Sequence, residues 1–219
     1  MFESTLNPET RRSGGMHYTS IENIHKVIDP LFLDELQEEF ETIQAYKTLD
    51  IKRKRLMDFQ EKLAHLKFLD PACGSGNFLT ETYLSLRRLE NKVLQVLFGE
   101  GQGVLGIAAS DIIKVSIQQF YGIEINDFAV TVAKTALCIA ESQMLEETKN
   151  IIYGLDGDFL PLKTYVNITE DNALRIDWND VISADELNYI MGNPPFVGYA
   201  YQSKEQKEDL IQITLDMGK

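Results

Sequence analysis

Residues 191–199, MGNPPFVGY, set two prolines behind an asparagine and an aromatic ring behind the prolines. Proline lacks a backbone donor and fixes φ, so the pair stiffens the turn and holds two acceptors in place, the Asn193 side-chain oxygen and the Pro194 carbonyl. Both can accept from one amino group. An exocyclic amine on a base is a poor nucleophile because its lone pair is delocalised into the ring. Acceptors on its hydrogens favour a more tetrahedral, more reactive nitrogen and can receive the departing proton. Phe196 would stack on the base face, as a nucleotide rotated out of its duplex requires. Asn193, Pro194, Pro195 and Phe196 are therefore the candidate catalytic group. The same spelling can simply end a strand; the other strand ends are what give it a function.

In FLDPACGSGNFL, residues 68–79, an acid at a strand tip is followed by a glycine turn and a helix start. Glycines let the backbone approach a ligand, and a helix N-terminus offers unpaired N–H groups. Leu79 fills the third glycine position of a dinucleotide fingerprint, and no lysine follows Gly76 as a P-loop would need. Asp70 would repel a pyrophosphate and suits an ammonium group. In YGIEINDFA, residues 121–129, Glu124 ends a second strand and can accept both hydroxyls of a ribose, while Asp127 reads as a helix cap. A carboxylate for an amine and a carboxylate for a ribose describe S-adenosylmethionine better than NAD or ATP.

The elements that must carry these groups follow from periodicity. Thr19 or Ser20 caps a helix with Ile21, Ile24, Val27 and Ile28 at helical spacing, interrupted at Pro30. A second helix covers about residues 31–46. A third places Leu56, Phe59, Leu63 and Leu66 on one stripe, with the basic run 51–56 as a solvated face opposite. Strands at 67–69, 120–125, 164–168 and 189–191 then alternate with helices at 77–97 and 127–147 and a short one near 177–186. That order predicts a parallel sheet covered on both faces, with ligands at the carboxyl ends of its strands. GDFLPL at 157–162 reads as a loop.

The net charge of −13 is the wrong sign for gripping a phosphate backbone unaided, and residues 141–219 hold fifteen acids against six bases. Cys73 and Cys138 are too few for a Cys/His metal site and sit in apolar contexts without a secretory leader, so neither metal nor disulfide is expected. No run of 18 apolar residues is present, so no membrane contact is expected and a cytoplasmic location follows.

DPACGSG, GIEIN and NPPF, preceded by GMHYTS, resemble motifs I, II, IV and X of the amino-group DNA methyltransferases in the gamma arrangement, where motif X comes first. HYTSIENIHKVIDPLFLDEL and QQFYGIEINDFAVTVAKTAL are similar to the MmeI-like branch, and the resemblance covers roughly residues 11–199. It implies a Rossmann-like class I methyltransferase sheet, here partial, at 67–219, and an N-terminal helical extension with motif X at 1–66. It also implies S-adenosylmethionine as cofactor and adenine N6 in DNA as acceptor. Carried over, Tyr18, Thr19 and Ser20 would pack beside the methionine end of the cofactor. Asp70, Ala72, Cys73, Gly74, Gly76 and Asn77 would form the motif I turn. Glu124 would take the ribose, and Ile125 would stack on the cofactor's adenine. Motif III falls in EDNALRIDW, residues 170–178, where Asn172 or Asp171 would meet the adenine amine; Asn172, followed by Ala173, is the better match.

Two departures accompany the resemblance. Between Gly76 and Glu124 lie 47 residues, more than one crossover helix needs, and the chain stops at Lys219, before the further strands and the target recognition domain of the family. The expectation is a piece that binds cofactor, reaches double-stranded DNA only through a recognition domain outside these residues, and does not methylate DNA alone. Cytosine N4 methylation, protein glutamine methylation and a non-catalytic cofactor-binding module are the alternatives.

Overall fold

A computed structural model of the chain describes residues 19–99, 109–152 and 166–216. Helix α1 (Ile21–Ile28) follows the extended Ser20 and buries Ile24 and Ile28. Its winding does not break at Pro30. Asp29–Leu33 form a π-helical turn, closed by the Asp34 N–H on the Asp29 carbonyl, which runs on into α2 (Asp34–Gln44). Proline removes one helical N–H, and the wider turn absorbs the lost bond, so the predicted interruption is a bulge. Helix α3 (Leu49–His65) buries Leu56, Phe59 and Leu63, with Leu66 just beyond, and leaves Arg53, Lys54 and Arg55 in solvent as the stripe predicts.

Strand β1 (Phe68–Asp70) leads through the glycine turn into α4 (Asn77–Phe98). After the short α5 (Ala109–Ile112) come β2 (Phe120–Glu124) and α6 (Asp127–Ile151). Then follow β3 (Asn167–Glu170), β4 (Tyr189–Ile190) and α7 (Lys204–Asp216). The four strands are parallel in the order β3-β2-β1-β4, with Phe68 opposite both Phe120 and Tyr189, and Asp70 opposite Gly122. Strand β3 runs on to Glu170, past the expected end at residue 168; 157–162 and all but the first residue of the Gly-rich connection 99–106 lie outside the described residues.

Alternation along β1 and β2 divides the sheet's faces. Phe68 and Phe120 point to the helical face, where Phe68 stacks on Phe120 at 5.2 Å and on Tyr189 at 5.4 Å, with Phe32 tilted against it at 5.1 Å. The core there runs unbroken from Ile24 through α3, α4 and α6 to Met191, so the N-terminal helices share it with the sheet. Leu69 and Ile123 point the other way. Among the described residues that face is covered by the turn-rich stretch 173–187 with Ile176, Trp178, Ile182 and Leu187, where a helical cover was expected. Trp178–Asp180 manage one 3-10 turn, because Asp177 Oδ1 accepts from the Asn179 N–H and Asn179 Oδ1 from the Ala184 N–H, side chains competing for the backbone.

Helix α6 has the length and apolarity a membrane span requires, although no unbroken apolar run of that size exists in it. Here it is a core helix that buries Ala129, Val130, Ala133, Leu137, Ala140 and Met144 against the sheet and α4.

Candidate functional site

The strand tips converge on Asp70. Its side chain is 2% exposed, and Oδ1 accepts from the Ala72 N–H at 3.0 Å. Burial pushes its carboxyl up to about 7, with the Ala72 bond pulling down and the Glu124 charge adding to the rise. A group so placed gains from a cation that restores the charge state water would favour. Gly192 lies directly against it: a Cβ at that position would meet Asp70 Oδ1 at 2.3 Å. Only a glycine before Asn193 lets the Asn-Pro-Pro turn sit on the strand-tip acid.

Across the turn, Glu124 Oε2 accepts from the Gly74 N–H at 2.9 Å and Oε1 from the Asn126 N–H at 3.0 Å. The second strand tip is thereby tied to the first, with its carboxylate aimed at the glycine turn. Ile125 beside it is 68% exposed, as a side chain that stacks on a ligand must be. Gly74 is left-handed with open space where a Cβ would stand, whereas a Cβ on the left-handed Gly76 would meet Ala133 Cβ at 2.9 Å. Gly74 therefore faces the site, and Gly76 allows α6 to pack against the start of α4, where half-buried Asn77 is the first helical residue.

Cys73 turns its thiol inward, under the turn, where burial pushes its pKa up; its N–H holds the Ile123 carbonyl at 3.1 Å. Its carbonyl receives the Gly76 N–H at 2.8 Å, so the Cys73 backbone holds the turn. Gly122 makes room for that thiol, since a Cβ there would lie 2.8 Å from Cys73 Sγ. Asp127 is not the cap of α6: Asn126 Oδ1 accepts from the Ala129 N–H at 2.9 Å, and Asp127 occupies the first helical position.

Beyond Gly192, Asn193, Pro194, Pro195 and Phe196 are open to solvent. Phe196 is 88% exposed, and Tyr199 and Tyr201 follow it outward, with the Lys207 ammonium 4.7 Å from the Tyr199 ring. The Asn193 Nδ2 donates to the Thr19 hydroxyl at 3.2 Å, so the segment before α1 meets the Asn193 turn across 174 residues of sequence. Ser20 adjoins it through its carbonyl, which receives the Asn23 and Ile24 N–H groups. Tyr18 lies outside the described residues.

Asn172 comes next to Glu124, whose carbonyl holds the Asp171 N–H at 3.0 Å. Its Oδ1 accepts from the Leu174 N–H at 3.0 Å and its Nδ2 donates to Asp209 at 2.9 Å. Ala173 is half-buried, with its carbonyl on the Trp178 indole N–H. Asp209, on α7, also holds Arg175 at 2.7 Å, and that bond keeps its carboxyl below the usual range. Sequence reading passed over Gly192, Gly122 and Asp209. Gly192 stood beside the quoted motif and could have been singled out; nothing local marks Asp209.

The donor set fits an amino-acid-bearing nucleoside: a carboxylate in want of a cation, a second carboxylate across an open glycine, and an exposed apolar side chain beside it. The sequence model of the MmeI DNA-methyltransferase domain matches residues 45–219. DNA methyltransferase A of Bacillus subtilis (strain 168) is 44% identical over 97% of the chain, which covers 23% of that protein. The solved structure of the Type IIL restriction-modification enzyme MmeI in complex with DNA superposes with a TM-score of 0.86 at 43% identity, covering 97% of this chain and 27% of that one. The chain thus spans about a quarter of the length of each relative. By the matched domain, the shared fold and the order of its strand-tip motifs, it belongs to the MmeI family of DNA-methyltransferase domains.

Proposed function

We propose that the chain is the cofactor-binding and catalytic part of an S-adenosylmethionine-dependent methyltransferase that acts on N6 of adenine in DNA. The observation that carries this reading is the contact of Gly192 with Asp70, which sets the amine-binding turn directly against the ammonium-binding acid. When bound, S-adenosylmethionine supplies an electrophilic methyl group on a sulfonium. Asp70 holds the ammonium, Glu124 the ribose, Gly74 leaves the backbone accessible, Ile125 lies on the adenine, and Asn172 or Asp171 meets its amine. Asn193 Oδ1 and the Pro194 carbonyl accept the two hydrogens of the target amine, Pro195 keeps that turn stiff, and Phe196 stacks on the flipped base. None of these roles calls for a metal ion.

Double-stranded DNA is the proposed partner and the cytoplasm the proposed location. The 219 residues by themselves are proposed to hold cofactor without methylating DNA, because they carry −13, against which the exposed Arg53, Lys54 and Arg55 of α3 are few. Calorimetry with S-adenosylmethionine, NAD and ATP tests the cofactor: only the first should bind. Asp70→Ala and Glu124→Ala should each weaken it by about 1.5–3 kcal/mol; equal affinity in all three proteins overturns the assignment. Nucleoside mass analysis of DNA treated with the full-length protein should give N6-methyladenine. N4-methylcytosine would overturn the acceptor.

A further inference from the structure

We propose that Thr19 is a positioning residue for Asn193, its hydroxyl receiving the Asn193 Nδ2 and so committing Oδ1 to the reacting amine. The inference rests on the reading above that Asn193 Oδ1 accepts from the target base. A primary amide has a donor end and an acceptor end that exchange by rotation about χ2, and only the acceptor end can serve an amine. Asn193 is exposed, so no buried shell chooses between the two. Thr19 supplies an acceptor at 3.2 Å on one side of the amide. With the amine on the other side, this orientation pairs the amide N–H with the hydroxyl and Oδ1 with the amine, whereas the reverse orientation sets amide NH2 against amine NH2.

Thr19 is in turn held by the helix it precedes. The Ser20 carbonyl receives the first N–H groups of α1, and Ile24 and Ile28 are buried. His25 bridges Asp29 at 2.7 Å and Glu81 of α4 at 3.2 Å. Because α4 begins at the glycine turn, the N-terminal segment and the cofactor cradle share one support. The amine-binding turn is thus braced from outside the sheet, by a residue the family resemblance places beside the cofactor.

The test compares wild type, Thr19→Val, Thr19→Ser, Asn193→Ala and the Thr19→Val/Asn193→Ala double variant of the full-length protein. Cofactor affinity is read by calorimetry and single-turnover methylation at saturating cofactor and DNA. Thr19→Val, which keeps the shape and loses the hydroxyl, should slow transfer by about ten- to a hundredfold at saturating cofactor, a deficit that further cofactor does not remove. Thr19→Ser should recover most of the loss, and Thr19→Val should slow Asn193→Ala no further. A wild-type rate for Thr19→Val, a deficit that vanishes at saturating cofactor, a Thr19→Ser as slow as Thr19→Val, or additive losses would each overturn the positioning role. A wild-type rate for Asn193→Ala would overturn the catalytic reading beneath it, and this is a separate result from a normal Thr19→Val beside a slow Asn193→Ala.

Discussion

Asn193 and Phe196 belong to one turn, and the proposed function divides its labour between them. An acceptor used mainly in the transition state changes rate and leaves ground-state affinity alone, so Asn193→Ala in the full-length enzyme should slow transfer at least about a hundredfold with cofactor affinity nearly unchanged. Phe196, exposed until a base arrives, should cost base capture about 1–3 kcal/mol when truncated to alanine. Single-turnover rates against DNA concentration separate the two. Asp70 carries a different prediction. With a carboxyl raised from 3.8 to about 7 in the fold, its neutral form is the stable one, and the stability it lends is lost as pH rises from about 4 through about 7. Cofactor affinity runs the opposite way, since an ammonium needs the carboxylate. Asp70→Asn should therefore stabilise the protein above pH 7 relative to wild type, by on the order of 2–4 kcal/mol, while weakening cofactor at every pH. Urea melts at pH 5 and pH 8 check the sign; a wild type gaining on the variant as pH rises would refute it.

Helix α4 begins at the glycine turn and is fixed in depth by a buried polar cluster. Arg87 and Glu90, 1% and 0% exposed, form an ion pair one turn apart. Arg87 also donates to the Thr148 hydroxyl of α6 at 2.7 Å, and Glu90 receives Gln60 of α3 at 2.6 Å and the Lys114 N–H at 2.7 Å. The three helices are thereby locked in register beneath the cradle. Arg87→Met leaves Glu90 as a buried charge without its guanidinium and should destabilise the protein by about 3–5 kcal/mol, whereas Arg87→Met with Glu90→Gln should recover part of that loss. Denaturant midpoints give both values, and a single variant as stable as wild type would mean the cluster does not hold the helices.

For the whole molecule the deciding quantity is charge. Binding to DNA draws on counterion release by clustered Lys and Arg, and the exposed basic run of α3 is small against a net −13. The 219-residue chain in isolation should bind mixed-sequence DNA weakly, with a shallow dependence on salt, and leave labelled methyl groups untransferred, beside a full-length protein that transfers them. Sequence-specific methylation by the short chain would show that its own surface suffices. Strand β4 is two residues long at the sheet edge, with Ile190 53% exposed. That apolar edge adds self-association to what concentration-dependent scattering of the isolated chain should reveal.

Local chemistry was enough to place Asp70, the glycine turn, Glu124 and Asn193 at successive strand ends, because period-2 and period-3.6 apolar patterns fix the elements and the motifs stand at their ends. It also sufficed for the Leu56, Phe59, Leu63 stripe and the solvated basic face. Proline chemistry read locally predicted a break at Pro30, where packing of Ile28, Phe32 and Leu33 into the core carries the helix through a wider turn. Contacts across long separations were decided by the tertiary fold alone: Thr19 with Asn193, Gly192 against Asp70, Asp209 on Asn172, and the stretch 173–187 over the sheet's second face. Such contacts depend on where whole elements dock, which the buried core sets collectively, and no spacing within one segment encodes it.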